Sequence, residues 1–253
     1  MPVPASAGTT LDRWWSGVLD LVFPRRCLGC GGLGALLCAA CRAGIEPLRP
    51  PFCQGCGVPA RESPCPGCRE APLDVDGLRS IFPYDGLVRT AIIELKYHGL
   101  SSLGEELGAW MAEQISSGVA ADLVTAVPLH LRRRRSRGYN QAELLARTLG
   151  RTLGLRFSAT TIQRTKQTSA QAQLSDRAQR AENVRNAFTA DPRLVQGRSV
   201  LIIDDVATTG ATLSACARAL KDAGAARVVG LTLARELLTS AGGVPRQAGT
   251  KIG

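Results

Sequence analysis

Eight of the nine cysteines in this chain fall into four C-x2-C pairs between residues 27 and 68, and no other feature constrains the fold as strongly. The pattern reads Cys27-x2-Cys30, x7, Cys38-x2-Cys41, x11, Cys53-x2-Cys56, x8, Cys65-x2-Cys68. A C-x2-C turn points two thiolates at one ion, and two such turns complete a tetrahedral four-sulfur shell. Four turns therefore make two sites, most simply Cys27/Cys30/Cys38/Cys41 and Cys53/Cys56/Cys65/Cys68. Thiolate-only ligands suit zinc or iron–sulfur. The short knuckles with Gly29 and Gly55 favour zinc, held in closed sites that act as scaffold; redox dithiols are the competing reading. The stretch 27–74 is rich in Cys, Gly and Pro with little periodicity, so it cannot bury a core of its own and needs such a staple. The ninth cysteine, Cys216, sits inside a helical pattern and reads as ordinary core.

Beyond the cysteines the texture changes. LRSIFPYDG reads as a strand and turn, LVRTAIIELKYHG as a helix closing at Gly99, and Leu103 to Ser116 as a second helix. DLVTAVPLH (Asp122 to His130) and SVLIIDD (Ser199 to Asp205) read as buried strands, and ARVVGLTLA as the last one. YNQAELLARTLGRTLG and GATLSACARALKDAG supply helices between them. Aliphatic strands alternating with helices predict an α/β domain with an open, mostly parallel sheet flanked by helices. At the N-terminus, Leu11, Trp14, Trp15, Val18, Leu19 and Val22 recur at helical spacing until Pro24. The expected layout is an amphipathic helix over 1–26, the cysteine module over 27–74, the α/β domain over 75–236 and a disordered tail over 237–253.

With 45% apolar residues the chain is globular, and it has no apolar run long enough to span a membrane. Its N-terminus has no basic stretch leading into an apolar core, so the expectation is a cytoplasmic protein whose thiols stay reduced. The net charge is +10, and residues 129–190 hold all of it, with thirteen Lys/Arg against three Asp/Glu. Charge concentrated in this way points to an anionic ligand or partner.

The stretch VLIIDDVATTGATL (Val200 to Leu213) specifies the ligand further. In an open parallel sheet, ligands sit beyond the carboxyl ends of the strands. Asp204 and Asp205 stand where the aliphatic run ends, and Ala207, Thr208, Thr209, Gly210, Ala211 and Thr212 lead straight into a helix. Backbone N–H groups and Thr hydroxyls at the positive end of a helix hold an anion, while carboxylates accept from hydroxyls and attract Mg2+. A ligand with a phosphate at one end and a vicinal diol nearby satisfies both halves, as a ribose 5-phosphate does. An ordinary strand–turn–helix with surface acids is the plainer alternative. The loop matches neither nucleoside-triphosphate nor dinucleotide fingerprints.

Four aliphatics, two acids and x-x-T-T-G-x-T resemble the phosphoribosyl pyrophosphate signature of type I phosphoribosyltransferases. LKYHG (Leu95 to Gly99), VPLHLRRRRSRGYNQAELLA (Val127 to Ala146) and R-x-x-x-T-x-x-Q-x-x-L from Arg164 extend the resemblance to the ComF family of competence-associated proteins, over roughly Leu21 to Arg235. Tyr139 stands where Phe is commoner in that family. The resemblance implies a type I phosphoribosyltransferase-like fold behind a double zinc ribbon. It also implies Mg2+ with phosphoribosyl pyrophosphate as ligand: Asp204 and Asp205 on the ribose, Thr208, Thr209, Gly210 and Thr212 on the 5′-phosphate. Val127, Pro128, Leu129 and His130 would form the pyrophosphate loop. The stretch from Arg164 to about Asn183 would be a closing loop that carries Arg164, Lys166 and Arg177, while Arg132, Arg133, Arg134, Arg135 and Arg137 form a basic patch on a turn before it. His98 reads as a helix-end residue.

Two functions fit these residues. One is a phosphoribosyl pyrophosphate-binding protein of DNA uptake or nucleotide metabolism that also meets single-stranded DNA, through the arginines and stacking on Tyr139 or Phe157. A DNA-uptake helicase would be a partner of such a protein. The other is an active transferase that displaces pyrophosphate with an unidentified nitrogen acceptor.

Overall fold

The computed structural model describes residues 25–115, 119–164 and 187–237. The expected N-terminal helix and the tail therefore lie, but for their innermost residues, outside the described part of the chain.

The cysteine segment consists of two units built alike. In the first, Cys27 N–H donates to Gly32 O and Cys38 N–H to Cys27 Sγ. In the second, Cys53 N–H donates to Val58 O and Cys65 N–H to Cys53 Sγ. Each unit ends in one turn of helix, α1 (Ala39–Ala43) and α2 (Pro66–Glu70).

The α/β domain follows as β1 (Gly77–Pro83), α3 (Gly86–Tyr97), α4 (Leu103–Gln114), β2 (Leu123–Ala126), α5 (Leu131–Arg137), α6 (Gln141–Leu153) and β3 (Arg156–Phe157). Then come β4 (Ile162–Arg164), β5 (Phe188–Ala190), α7 (Pro192–Val195), β6 (Ser199–Ala207), α8 (Ala211–Asp222) and β7 (Arg227–Arg235). The main sheet is parallel throughout, in the order β1-β7-β6-β2-β3, while β4 and β5 form a separate antiparallel pair. The expected open parallel sheet is thus observed.

Val200, Leu201, Ile202 and Ile203 are all buried because β6 lies at the centre with helices on both faces. Alternation sends Leu201 and Ile203 to a core with Ile92, Leu107, Met111 and Leu145, from α3, α4 and α6. Val200 and Ile202 pack on the other face with Leu213, Cys216 and Leu220 of α8, so Cys216 is core as expected. The cysteine segment covers the outer edge of β1: Leu48 N–H donates to Ile81 O, and Leu78 N–H to Gly55 O. An open edge would otherwise invite pairing with another chain.

Three local expectations shift. The strand expected over Asp122 to His130 stops at Ala126, since Pro128 has no N–H to donate. RRRRSR, expected on a turn, forms helix α5, with the His130 side chain accepting from Arg132 N–H at its start. The central strand runs past the two acids to Ala207.

Candidate functional site

Both cysteine groups are assembled as the spacing predicts. Within each, one Sγ from every cysteine lies within 4.8 Å of the others. Four sulfurs 2.3 Å from a tetrahedral ion stand about 3.8 Å apart. The Cys30–Cys38 and Cys56–Cys65 Sγ separations are 3.7 and 3.6 Å. The geometry fits a zinc ion in each group. Cys27 is already held at about 6 by N–H groups of Cys38 and Cys30. At Cys53 burial pushes the other way, but N–H groups of Cys56, Cys65 and Gly55 prevail and bring it to about 6. Each cluster therefore offers a ready thiolate.

At the carboxyl end of β6, strand alternation separates the two acids. Asp205, 3% exposed, turns toward α3, where its Oδ1 receives Lys96 Nζ at 2.8 Å. Its Oδ2 is buried and, among the described residues, has no hydrogen-bond partner. Asp204 turns toward α8 and accepts from Asp205 N–H through Oδ1 at 2.9 Å. Desolvation and the neighbouring Asp205 charge push the Asp204 carboxyl up to about 8, against the pull of that N–H and of Lys96. Part of the Asp204 side chain stays open to solvent, which screens the shift without changing its direction.

The native Asp204 carboxyl thus keeps its proton to a higher pH than the unfolded one. Between about pH 4 and pH 8 the unfolded state binds fewer protons, so this group makes stability fall as pH rises. In buffer free of divalent cations, Asp204→Asn is expected to flatten the fall in urea midpoint between pH 5 and pH 8. Identical slopes for wild type and variant would refute the assignment.

The loop after β6 is built for close approach. Thr208, Thr209, Ala211 and Thr212 are exposed, whereas Ala207 and Gly210 are buried. Gly210 has φ +82°, and a Cβ there would stand 2.8 Å from a methyl of Leu73. Thr209 Oγ1 accepts from Ala211 N–H at 3.3 Å. The 12-residue α8 then presents its N-terminal turn, where backbone donors and the helix dipole favour an anion.

Val127 N–H donates to Ile203 O, so Val127, Pro128, Leu129 and His130 leave the sheet beside Asp204. Arg164, Arg132 and Arg133 lie near enough to His130 that their charges, after desolvation, hold the imidazole below its ordinary value. The shift favours the neutral imidazole, within a cationic cluster suited to an anion. Arg134 pairs instead with Glu143 at 3.4 Å, and the Arg137 guanidinium bonds Gln141 and lies 5.4 Å from the Tyr97 ring centre. Arg135 is exposed on α5. Lys166 and Arg177 lie outside the described residues.

Tyr139 is not an open stacking surface. Its ring is half-buried and its hydroxyl donates to Leu95 O at 2.5 Å. Phe157 carries the Arg147 guanidinium over its ring. His98, as expected, caps the end of α3 and pairs with Glu94.

Sequence reasoning missed Lys96, although LKYHG contains it. A lysine in the last turn, next to the buried stripe Val88, Ala91, Ile92 and Leu95, was the available signal. It also missed Asp74, whose carboxylate binds Ser214 Oγ at 2.8 Å and Arg218 Nη2 at 2.8 Å in the first turns of α8.

A family model described as a double zinc ribbon domain matches residues 18–71, and one described as a phosphoribosyl transferase domain matches residues 135–239. With the parallel sheet and the two four-sulfur groups, they define a phosphoribosyltransferase-like domain preceded by a double zinc ribbon. DNA utilization protein YhgH of Salmonella typhimurium is 33% identical over 209 residues, 79% of this chain and 91% of that protein. Competence protein F of Haemophilus influenzae is 28% identical over 227 residues, 84% of this chain and 98% of that protein. The chain belongs to the ComF family. Among solved structures, the glutamine phosphoribosylpyrophosphate amidotransferase from B. subtilis covers 52% of this chain and 26% of its own, at 23% identity and TM-score 0.39. Among the described residues, no helix is long and apolar enough to cross a membrane.

Proposed function

We propose that this chain binds phosphoribosyl pyrophosphate with Mg2+ at the carboxyl end of β6 and serves DNA uptake or DNA and nucleotide metabolism. The Oδ2 of Asp205, buried at the carboxyl end of β6 with no hydrogen-bond partner among the described residues, carries the reading. A buried acceptor without a donor costs about 1–3 kcal/mol, and a ribose hydroxyl or a hydrated cation offers the missing partner. Asp204 and Asp205 take the ribose, and Thr208, Thr209, Gly210 and Thr212 take the 5′-phosphate. His130, Arg132, Arg133 and Arg164 face the pyrophosphate. Bound Mg2+ supplies charge neutralisation of that pyrophosphate. The names carried by relatives, DNA utilization protein and Competence protein F, support the wider role.

Calorimetric titration of phosphoribosyl pyrophosphate with Mg2+ tests this reading. Micromolar binding by wild type, weakened roughly 100-fold or more in Asp204→Ala/Asp205→Ala, is expected from the loss of charge-assisted hydrogen bonds. Failure of folded, zinc-loaded wild type to bind overturns it. Pyrophosphate release in the presence of a nucleobase or amine would identify a transferase. Salt-dependent binding of single-stranded DNA, lost when Arg132, Arg133, Arg134 and Arg135 become Ala, would identify a DNA-handling role.

A further inference from the structure

Tyr97 is 70% exposed, the most open of the large hydrophobic side chains among the described residues. Its position is nevertheless fixed on both sides. Lys96 is anchored on Asp205, and Leu95 O receives the Tyr139 hydroxyl. His98 closes the helix, with its Nδ1 2.8 Å from Glu94 Oε1. One face of the Tyr97 ring is backed by the Arg137 guanidinium, 5.4 Å from the ring centre.

A solvent-facing aromatic ring on an anchored helix end, with a planar cation behind it, suits a flat π-system better than an apolar protein surface. The cations of α5, which carries Arg137, suit a ligand that also bears phosphate. A planar ring system linked to phosphate is a nucleobase within a nucleotide.

We propose that Tyr97, backed by Arg137, is a stacking platform for a nucleobase whose sugar phosphate occupies the neighbouring Asp204–Asp205 site. The inference rests on the ribose phosphate reading of that site. The base arrives on a free nucleoside 5′-phosphate; single-stranded DNA, whose internal deoxyribose has no free hydroxyl for the two acids, is the source the test excludes. Tyr97 and Lys96 are adjacent residues, so the platform stands one residue from the group that contacts Asp205.

Two ligand pairs separate these sources, each comparing the same backbone with and without a base. The first pair is adenosine 5′-monophosphate against ribose 5-phosphate. The second is a thymidine oligonucleotide against an abasic deoxyribose-phosphate oligomer of equal length. Stacking predicts that the base-bearing member binds roughly 5- to 150-fold more tightly in one pair. That ratio should fall to about 1 in Tyr97→Ala and persist in Tyr97→Trp. A ratio present in the mononucleotide pair identifies a free nucleotide, and one present only in the oligomer pair identifies DNA and overturns the placement of the sugar at Asp204 and Asp205. If wild type shows no base preference in either pair, or if Tyr97→Ala leaves the ratios unchanged, the platform is overturned. Failure of ribose 5-phosphate and phosphoribosyl pyrophosphate to bind refutes the sugar-phosphate site instead, and a Tyr97-dependent preference for the base-bearing oligomer would then still support stacking.

Discussion

Zinc-free protein, or the Cys53→Ser/Cys56→Ser variant, is expected to lose the phosphoribosyl pyrophosphate binding proposed above, although no cysteine belongs to the Thr208–Thr212 loop. The second cysteine group has almost no apolar core besides its own thiols, with only Val58, Ala60 and Leu73 packed against it among the described residues. Structural zinc contributes about 10–16 kcal/mol to comparable small folds, so the unit loosens without it. Three connections then fail together. Arg235 Nη1, at the end of β7, donates to Cys56 O at 2.6 Å. Gly57 presses against β1 so closely that a Cβ would stand 2.1 Å from Leu78 O. Leu73 packs on the cysteines on one side and on Gly210 on the other, and Asp74 next to it anchors Ser214 and Arg218.

The expected result is a melting temperature at least 10 °C lower and binding of phosphoribosyl pyrophosphate at least tenfold weaker. Cys27→Ser/Cys30→Ser should affect binding much less, because that unit leans on α4 through Glu106, which receives Leu36 and Leu37 N–H. Elemental analysis, thermal unfolding and calorimetry on the same samples decide the matter. Unchanged affinity in protein shown to lack the second zinc would sink the coupling.

Lys96→Ala is expected to destabilise the protein by about 3–5 kcal/mol, the usual effect of removing one partner from a buried ion pair. The pair is well enclosed, with side chains 19% and 4% exposed. Once Lys96 is gone, Asp205 keeps a buried charge with neither carboxylate oxygen paired. Asp205→Asn in the same background should recover most of the loss, because the amide carries no charge. Mg2+ should raise the urea midpoint of Lys96→Ala more than that of wild type, since the ion replaces the missing cation. A midpoint insensitive to Lys96→Ala would mean that the pair is too hydrated to matter. Equal losses in single and double variants would place the cost in packing of the lysine stem instead.

How far the sequence can be read depends on the distance over which each feature is encoded. The cysteine pairs, the aliphatic run of β6 and the Gly210 loop are local, and the structure places each where its spacing predicts. Helix α5 was harder to foresee. It carries a single apolar residue, Leu131, so no periodic stripe announces it, and its identity rests on the His130 and Gly138 caps. The two acids read as neighbours on one grip, but the pleat turns them to opposite faces, each with its own electrostatic surroundings.

The sequence by itself determined two four-cysteine clusters, a parallel α/β sheet and a Thr/Gly loop after paired carboxylates. These follow from short-range rules of thiolate spacing, strand and helix periodicity, and glycine at a positive φ. Only the tertiary structure decided that Lys96 would meet Asp205, that Asp74 and Leu73 would tie the second cysteine group to the Thr208–Thr212 loop, and that Tyr97 rather than Tyr139 would face solvent. Those contacts depend on the strand order β1-β7-β6-β2-β3 and on where its crossovers deliver the helix ends. No local pattern records that order, because residues far apart in the chain contribute to it through packing alone.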